Sequence, residues 1–202
     1  MRLASGASGG SAGAGGIDWV PDVKFRFAGG TMDVITPGGA ADAVPFGQFD
    51  GKRQYLYLAS ELGSAGTITK IACRLSDPLG SAAATYSGYE VAMGHTTAAA
   101  LDTDFAANMV DATQVFSGSI AVPGGLTRGD WIEVPLSTPF RYNGKDNLVV
   151  QFAGPAGTVN NRCILDNTSA VRYANRRLAS NDPAAASGTL LSDLADMRFF
   201  VR

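Results

Sequence analysis

One histidine and two cysteines are all that this 202-residue chain offers for imidazole or thiol chemistry. A nucleophilic triad needs a general base, and His95 is the single imidazole available for that role. One His with two Cys far apart in sequence does not make a zinc set. Charge is also scarce. Charged residues are 17% of the chain, with 16 Lys plus Arg against 18 Asp plus Glu. That balance leaves no basic footprint for nucleic acid. No stretch approaches the roughly 18 consecutive apolar residues of a membrane span. The first residues carry no apolar segment of the secretory type, so no leader is expected. No fixed-period repeat is present, which argues against a solenoid or propeller.

What is present is 46% hydrophobic residues and 25 Gly. This suffices for one domain with a core, or one domain plus an arm, and is too apolar for disorder throughout. Thirteen of the first sixteen residues are Gly, Ala or Ser. Such a tract buries almost nothing against the entropy it loses on ordering, so an ordered form needs a neighbour to hold it. Residues 1–22 therefore read as an arm. Residues 23–52 read as a strand and loop connector. In it Val23, Phe25 and Phe27 alternate with Lys24 and Arg26, and a Gly/Pro/Ala-rich loop without periodicity follows.

From residue 53 to 202 the pattern is strand after strand. Alternation places Ile71, Cys73 and Leu75 on one face, then Tyr89, Val91 and Met93, then Ile132, Val134 and Leu136, then Leu148, Val150 and Phe152. RCIL, a short run around Val171-Arg172-Tyr173 and the terminal MRFFV add further strands. Turn dipeptides, among them Asn143-Gly144, punctuate the runs. Only residues 96–109 read as helical, for a turn or two. These signals predict an all-β fold: an antiparallel β-sandwich or jelly roll, each sheet with one wet face, carrying an extended Gly-rich N-terminal arm.

Four strings occur in fixed order: QYLYLASELGSAGTITKIACRL, YEVAMGHT, QVFSGSIAVP and WIEVPLSTPFRYNGKDNLVVQF. Together they resemble a β-sandwich accessory module of large bacterial surface and secreted proteins, from Gln54 to Val201, here as a stand-alone chain. The resemblance implies adhesion or binding and no catalysis.

Candidate sites are few. His95, at the end of a strand, is expected to be a hydrogen-bonded structural residue. Asp102, Asp104 and Asp111 are a weak calcium candidate, because alternating carboxylates supply hard oxygen ligands, but the run lacks the Gly-punctuated loop of a calcium site. The competing reading is a solvated loop with Asp102 as a helix cap. No spacing selects a carboxylate pair for glycoside hydrolysis. Cys73 and Cys163 are either two buried thiols or one disulfide pinning distant strands. Arg172, Arg176 and Arg177 form a basic spot, read either as a solvated face or as a contact with an acidic partner surface. Trp131, Tyr55, Tyr57 and Tyr142 are candidates for a sugar-stacking platform, with core packing as the competing reading.

Three function classes are weighed. The first is a non-enzymatic structural subunit of a particle or filament, by preference a phage virion protein such as a capsid decoration or other head or tail protein. It docks through the arm onto copies of itself or other subunits, with Ile17, Trp19, Val23, Phe25, Phe27 and the Arg172, Arg176, Arg177 spot as contacts. The second is an extracellular or cell-surface module for carbohydrate binding or adhesion, with a surface glycan as ligand. The third is an enzyme, for which no constellation speaks. No cofactor, nucleic acid or membrane partner is expected.

Overall fold

A computed structural model describes residues 30–35, 40–42, 45–46, 50–78, 83–155, 161–166 and 172–202. The N-terminal arm, and with it Ile17, Trp19, Val23, Phe25 and Phe27, lies outside the described residues.

The chain forms the antiparallel two-sheet sandwich that its alternation predicts. The described strands are β1 (Thr31–Val34), β2 (Ala40–Asp42), β3 (Gly51–Tyr57), β4 (Gly66–Pro78), β5 (Ala84–Thr96), β6 (Thr113–Val122), β7 (Trp131–Tyr142), β8 (Asn147–Gly154), β9 (Asn161–Asp166), β10 (Arg177–Ser180), β11 (Thr189–Leu191), β12 (Leu194–Ala195) and β13 (Met197–Val201). One sheet has the order β11-β10-β3-β8-β5-β6. The other runs β1-β13-β4-β9-β12, with β2 added on β9 and β7 on β4. The length of β4 makes this second sheet possible. Its first part pairs with β7 on one edge and β13 on the other, and its end, from Leu75 onward, pairs with β9 through a register shift between Leu75 and Asp77.

The core lies between the sheets. One wall consists of Tyr55 and Tyr57, Tyr86, Tyr89, Val91 and Met93, and Leu148, Val150 and Phe152. The other consists of Ile71, Cys73, Leu75, Ile132, Val134, Met197 and Phe199. These are largely the faces that alternation assigns, and Leu136 packs against their edge.

Two expectations are corrected by the structure and a third is narrowed. The six-stranded sheet keeps its wet face only along β6 and the first part of β5, where exposed residues alternate with buried ones; elsewhere Leu56, Val149 and Leu178 on its outer side are buried under Leu101, Phe105 and Met109. This second layer explains the unbroken burial of Arg53 through Tyr57 and of Leu148 through Val150. The helical stretch is reduced to one 3-10 turn, Ala106–Asn108. The segment around Tyr173 is a turn, ending at Asn175 with φ of 54°, a conformation that Asn tolerates better than most residues.

The connector also belongs to the sandwich. β1 and β2 are strands of the seven-stranded sheet. Phe46 is fully buried among Tyr86, Tyr89 and Phe152. The Tyr89 hydroxyl donates to the Pro45 carbonyl at 2.5 Å and the Tyr86 hydroxyl to the Phe46 carbonyl at 3.3 Å. Two buried phenols gain acceptors and Phe46 fills the space between them, so this stretch is anchored in its own core rather than reserved for a neighbour.

Candidate functional site: the loop end around His95

Three of the unusual strings in the sequence meet at one end of the sandwich. LASELG forms the turn after β3, MGHT ends β5, and RYNGKDN joins β7 to β8. Each turn is built by local polar chemistry. Asn143 Oδ1 accepts the amides of Lys145 and Asp146 at 2.9 and 3.0 Å, and its Nδ2 donates to Asp146 Oδ2 at 2.7 Å. This Asx turn leaves Gly144 at φ of 72°. Glu61 Oε2 accepts the Leu58 amide at 3.0 Å. Asn147 then ties two segments together, accepting the Ala59 amide at 2.7 Å and donating to the Ala98 carbonyl at 2.8 Å.

His95 sits among these turns, 8% exposed. Its Nδ1 is 2.7 Å from Asp111 Oδ2, and its backbone amide donates to Asp111 Oδ1 at 2.6 Å. Its Nε2 accepts the Asn143 amide at 3.2 Å. The ring stacks on Tyr142 and tilts against Phe140, with centroids 5.9 and 5.0 Å away. A general base needs a lone pair directed at the substrate proton. Here that lone pair is held by a backbone amide and the ring is enclosed by aromatics, which fits the expected structural role.

Burial pushes the Asp111 carboxyl up, but the hydrogen bonds from the His95 amide and ring outweigh it, and the net effect holds Asp111 below its ordinary value. A depressed carboxylate contributes stability that is present above its unfolded-state pKa and is lost as pH falls through the folded one. The Asp111 side chain is 52% exposed, so the contribution is small. Asp111→Ala is expected to flatten the acid limb of stability below the ordinary carboxylate range. Urea midpoints measured across pH check this. An acid limb as steep as in the wild type would refute it.

The other sequence candidates are dispersed. Asp102 Oδ1 accepts the Asp104 amide at 2.9 Å, and Asp104 Oδ1 accepts the Ala106 amide at 2.8 Å. Asp102 is therefore not a helix cap, and Asp111 is committed to His95. The three carboxylates do not converge on a cation, and no group of three or more metal-ligating acidic, His or Cys side chains occurs among the described residues.

Cys73 is a free, buried thiol with its sulfur 3.8 Å from that of Met197. The disulfide alternative is not formed there. Sequence neighbours do not explain this; the small apolar thiol simply fills the β4–β13 contact. The side chain of Cys163 lies outside the description.

The basic spot does not exist as a surface. Arg172 is exposed, but Arg176 and Arg177 are 2% and 5% exposed. Arg176 donates through Nε and Nη2 to the Leu56 carbonyl at 2.9 and 2.6 Å, through Nη1 to Glu61 Oε1 at 2.8 Å, and through Nη2 also to Glu61 Oε2. Arg177 pairs with Asp193 at 2.7 Å. The guanidinium fork is used here to fasten turns to the sheet.

The aromatic platform is likewise dispersed. Tyr55, Tyr57 and Tyr142 are buried. The Tyr57 hydroxyl donates to the Ala195 carbonyl at 3.0 Å. Trp131 alone lies on the outer face of the seven-stranded sheet, and Arg198 covers its ring at 4.3 Å. Arg198 reaches Trp131 across Ala72, its cross-strand neighbour on β4, whose small side chain leaves the path open. Asp33 holds the same guanidinium with two bonds, 2.7 and 2.6 Å long. Lys70 bonds Glu133 at 2.6 Å and lies over Phe200. The charges on this face satisfy one another across strands.

Sequence reasoning missed the buried polar seam beneath the 97–112 loop. Gln54 donates to the Phe105 carbonyl at 2.9 Å, and Asn108 Nδ2 donates to Gln54 Oε1 at 2.8 Å. Asn108 Oδ1 accepts the Asp102 amide at 2.7 Å. The one signal in the sequence is a glutamine directly before the Tyr55-Leu56-Tyr57 run of β3.

No protein-family model matches the chain, and no curated protein matches it. No helix among the described residues is long and apolar enough to cross a membrane.

Proposed function

We propose that this chain is a non-enzymatic structural subunit of a particle or filament, by preference a phage virion component, that docks through its N-terminal arm. The observation that supports the reading is the place of β1. Among the described residues β1 borders the seven-stranded sheet, paired with β13 alone, and residues 1–29 lead directly into it. The described chain therefore begins at a sheet border, where a neighbour's strand and this one's can add to each other. The connector's alternating Val23, Phe25 and Phe27, between the arm and β1, have the period such an addition needs.

Removal of residues 1–22 is expected to leave a folded sandwich that no longer assembles or docks. Sedimentation of the truncated protein beside the full chain, together with its melting curve, checks this. Unfolding on truncation would place the arm in the core and sink the proposal.

The second reading, an extracellular glycan-binding or adhesion module, rests on the resemblance and on the outward position of Trp131. It requires that Trp131→Ala abolish retention on immobilised glycans while oligomeric state is unchanged. Quantification of the polypeptide in gradient-purified particles against the envelope and secreted fractions separates the two readings. Stoichiometric recovery with particles supports the first.

A further inference from the structure

The Asn143 amide can only donate, so the nitrogen facing it must be an acceptor. That assigns the neutral His95 ring a single tautomer, with its proton on Nδ1, donated to Asp111, and a bare Nε2. We propose that His95 is a proton-operated latch that selectively releases the 143–146 turn.

The step is uptake of one proton at Nε2. Nε2 then becomes a donor facing the Asn143 amide, also a donor, and the bond that links the two is lost. The same proton strengthens the other contact, because the imidazolium now faces the Asp111 carboxylate as a full charge pair. Protonation therefore does not dissolve the cluster. The loop carrying Asp111 stays fastened while the β7–β8 turn loses one of its holds.

The ionisable groups on the elements packed around the ring are Asp111 on its loop, Glu133, Arg141 and Tyr142 on β7, of which Glu133 is paired with Lys70, and Lys145 and Asp146 on the turn. Asp111 is hydrogen-bonded to the ring and Tyr142 stacks on it. Burial first, then the charge of Asp146, raises the Tyr142 phenol, so it stays neutral beside the ring. Asp146 is engaged by the Asn143 side chain. The released turn abuts the end of the β3–β4 connection, just before β4: a Cβ on Gly144 would lie 2.3 Å from the Ala65 nitrogen. Loosening of the turn is thereby passed to the connection beside it, at the same end of the sandwich.

Long-range proton–nitrogen NMR of the imidazole in the full chain, with amide exchange followed between about pH 8 and pH 5, tests the latch. The expected result is the Nδ1–H tautomer at the upper end. As the ring takes up its second proton, the Asn143 amide should shift in step and lose protection by roughly three- to tenfold. The His95 amide, held by Asp111, should keep its protection. In His95→Gln the pH response of the Asn143 amide should vanish. An Nε2–H tautomer, an Asn143 amide unmoved through the ring titration, equal loss at the His95 amide, a ring that stays neutral until acid unfolding, or an unchanged response in His95→Gln would each overturn the proposal.

Discussion

Arg176→Met is expected to destabilise the fold by about 3–5 kcal/mol, seen as a fall in melting temperature on the order of 10 °C. Arg176 is 2% exposed and is bound to both oxygens of Glu61, whose side chain is itself only 14% exposed. Removing the guanidinium leaves Glu61 as an uncompensated, largely buried carboxylate. It also removes two donors from the Leu56 carbonyl. The unpaired partner, more than the lost attraction, sets the size of the effect. The double variant Arg176→Met with Glu61→Gln should therefore recover part of the loss, because no charge is left stranded. Arg172→Ala, at the exposed member of the same triplet, should change stability by less than about 0.5 kcal/mol. Denaturant unfolding of the four proteins decides the matter. If Arg176→Met unfolds like the wild type but fails to bind a partner, the residue belongs to an interface after all.

Gly144→Ala should cost about 1–3 kcal/mol from backbone strain alone, and more from crowding. Gly144 adopts φ of 72°, and its missing Cβ would fall 2.3 Å from the Ala65 nitrogen and 3.0 Å from the Ala65 Cα. A backbone atom cannot rotate out of the way as a side chain tip does, so one of the two turns must move. Gly125, at φ of 79°, has nothing within 4 Å of its would-be Cβ. Gly125→Ala thus carries the dihedral penalty without the clash and should be the milder of the two in a thermal melt. Equal losses would show that the contact with Ala65 contributes nothing.

These two residues mark where sequence reading succeeds and where it stops. Asn143-Gly144 is legible as a turn because its signal is local: an Asx side chain and a positive φ act within four residues. That the same glycine must also clear Ala65 is invisible, since the contact spans two turns distant in the chain. For Arg176 the difficulty is different. Three arginines within six residues read as a basic patch because composition carries no record of burial. Glu61, the group that makes burial tolerable, is 115 positions away. Phe46 and Gln54 are further cases. The first is one of two phenylalanines in a Gly/Pro-rich stretch, and the second is a polar residue in a core strand. Each is explained only by what packs on it from elsewhere.

The sequence by itself determined the class of the fold. Alternation with a period of two fixes which side chains of β4, β5, β7 and β8 share a face, and dense turn residues limit strand length, so an antiparallel sandwich follows from local rules. The tertiary structure alone decided how polar groups are used. It took part of the outer face of the six-stranded sheet out of water, gave both nitrogens of His95 a partner, dispersed the three aspartates, and buried two of three arginines. The physical reason is range. Backbone periodicity is set by neighbours in the chain, whereas the fate of a charge or a lone pair depends on groups brought together only when distant strands pair.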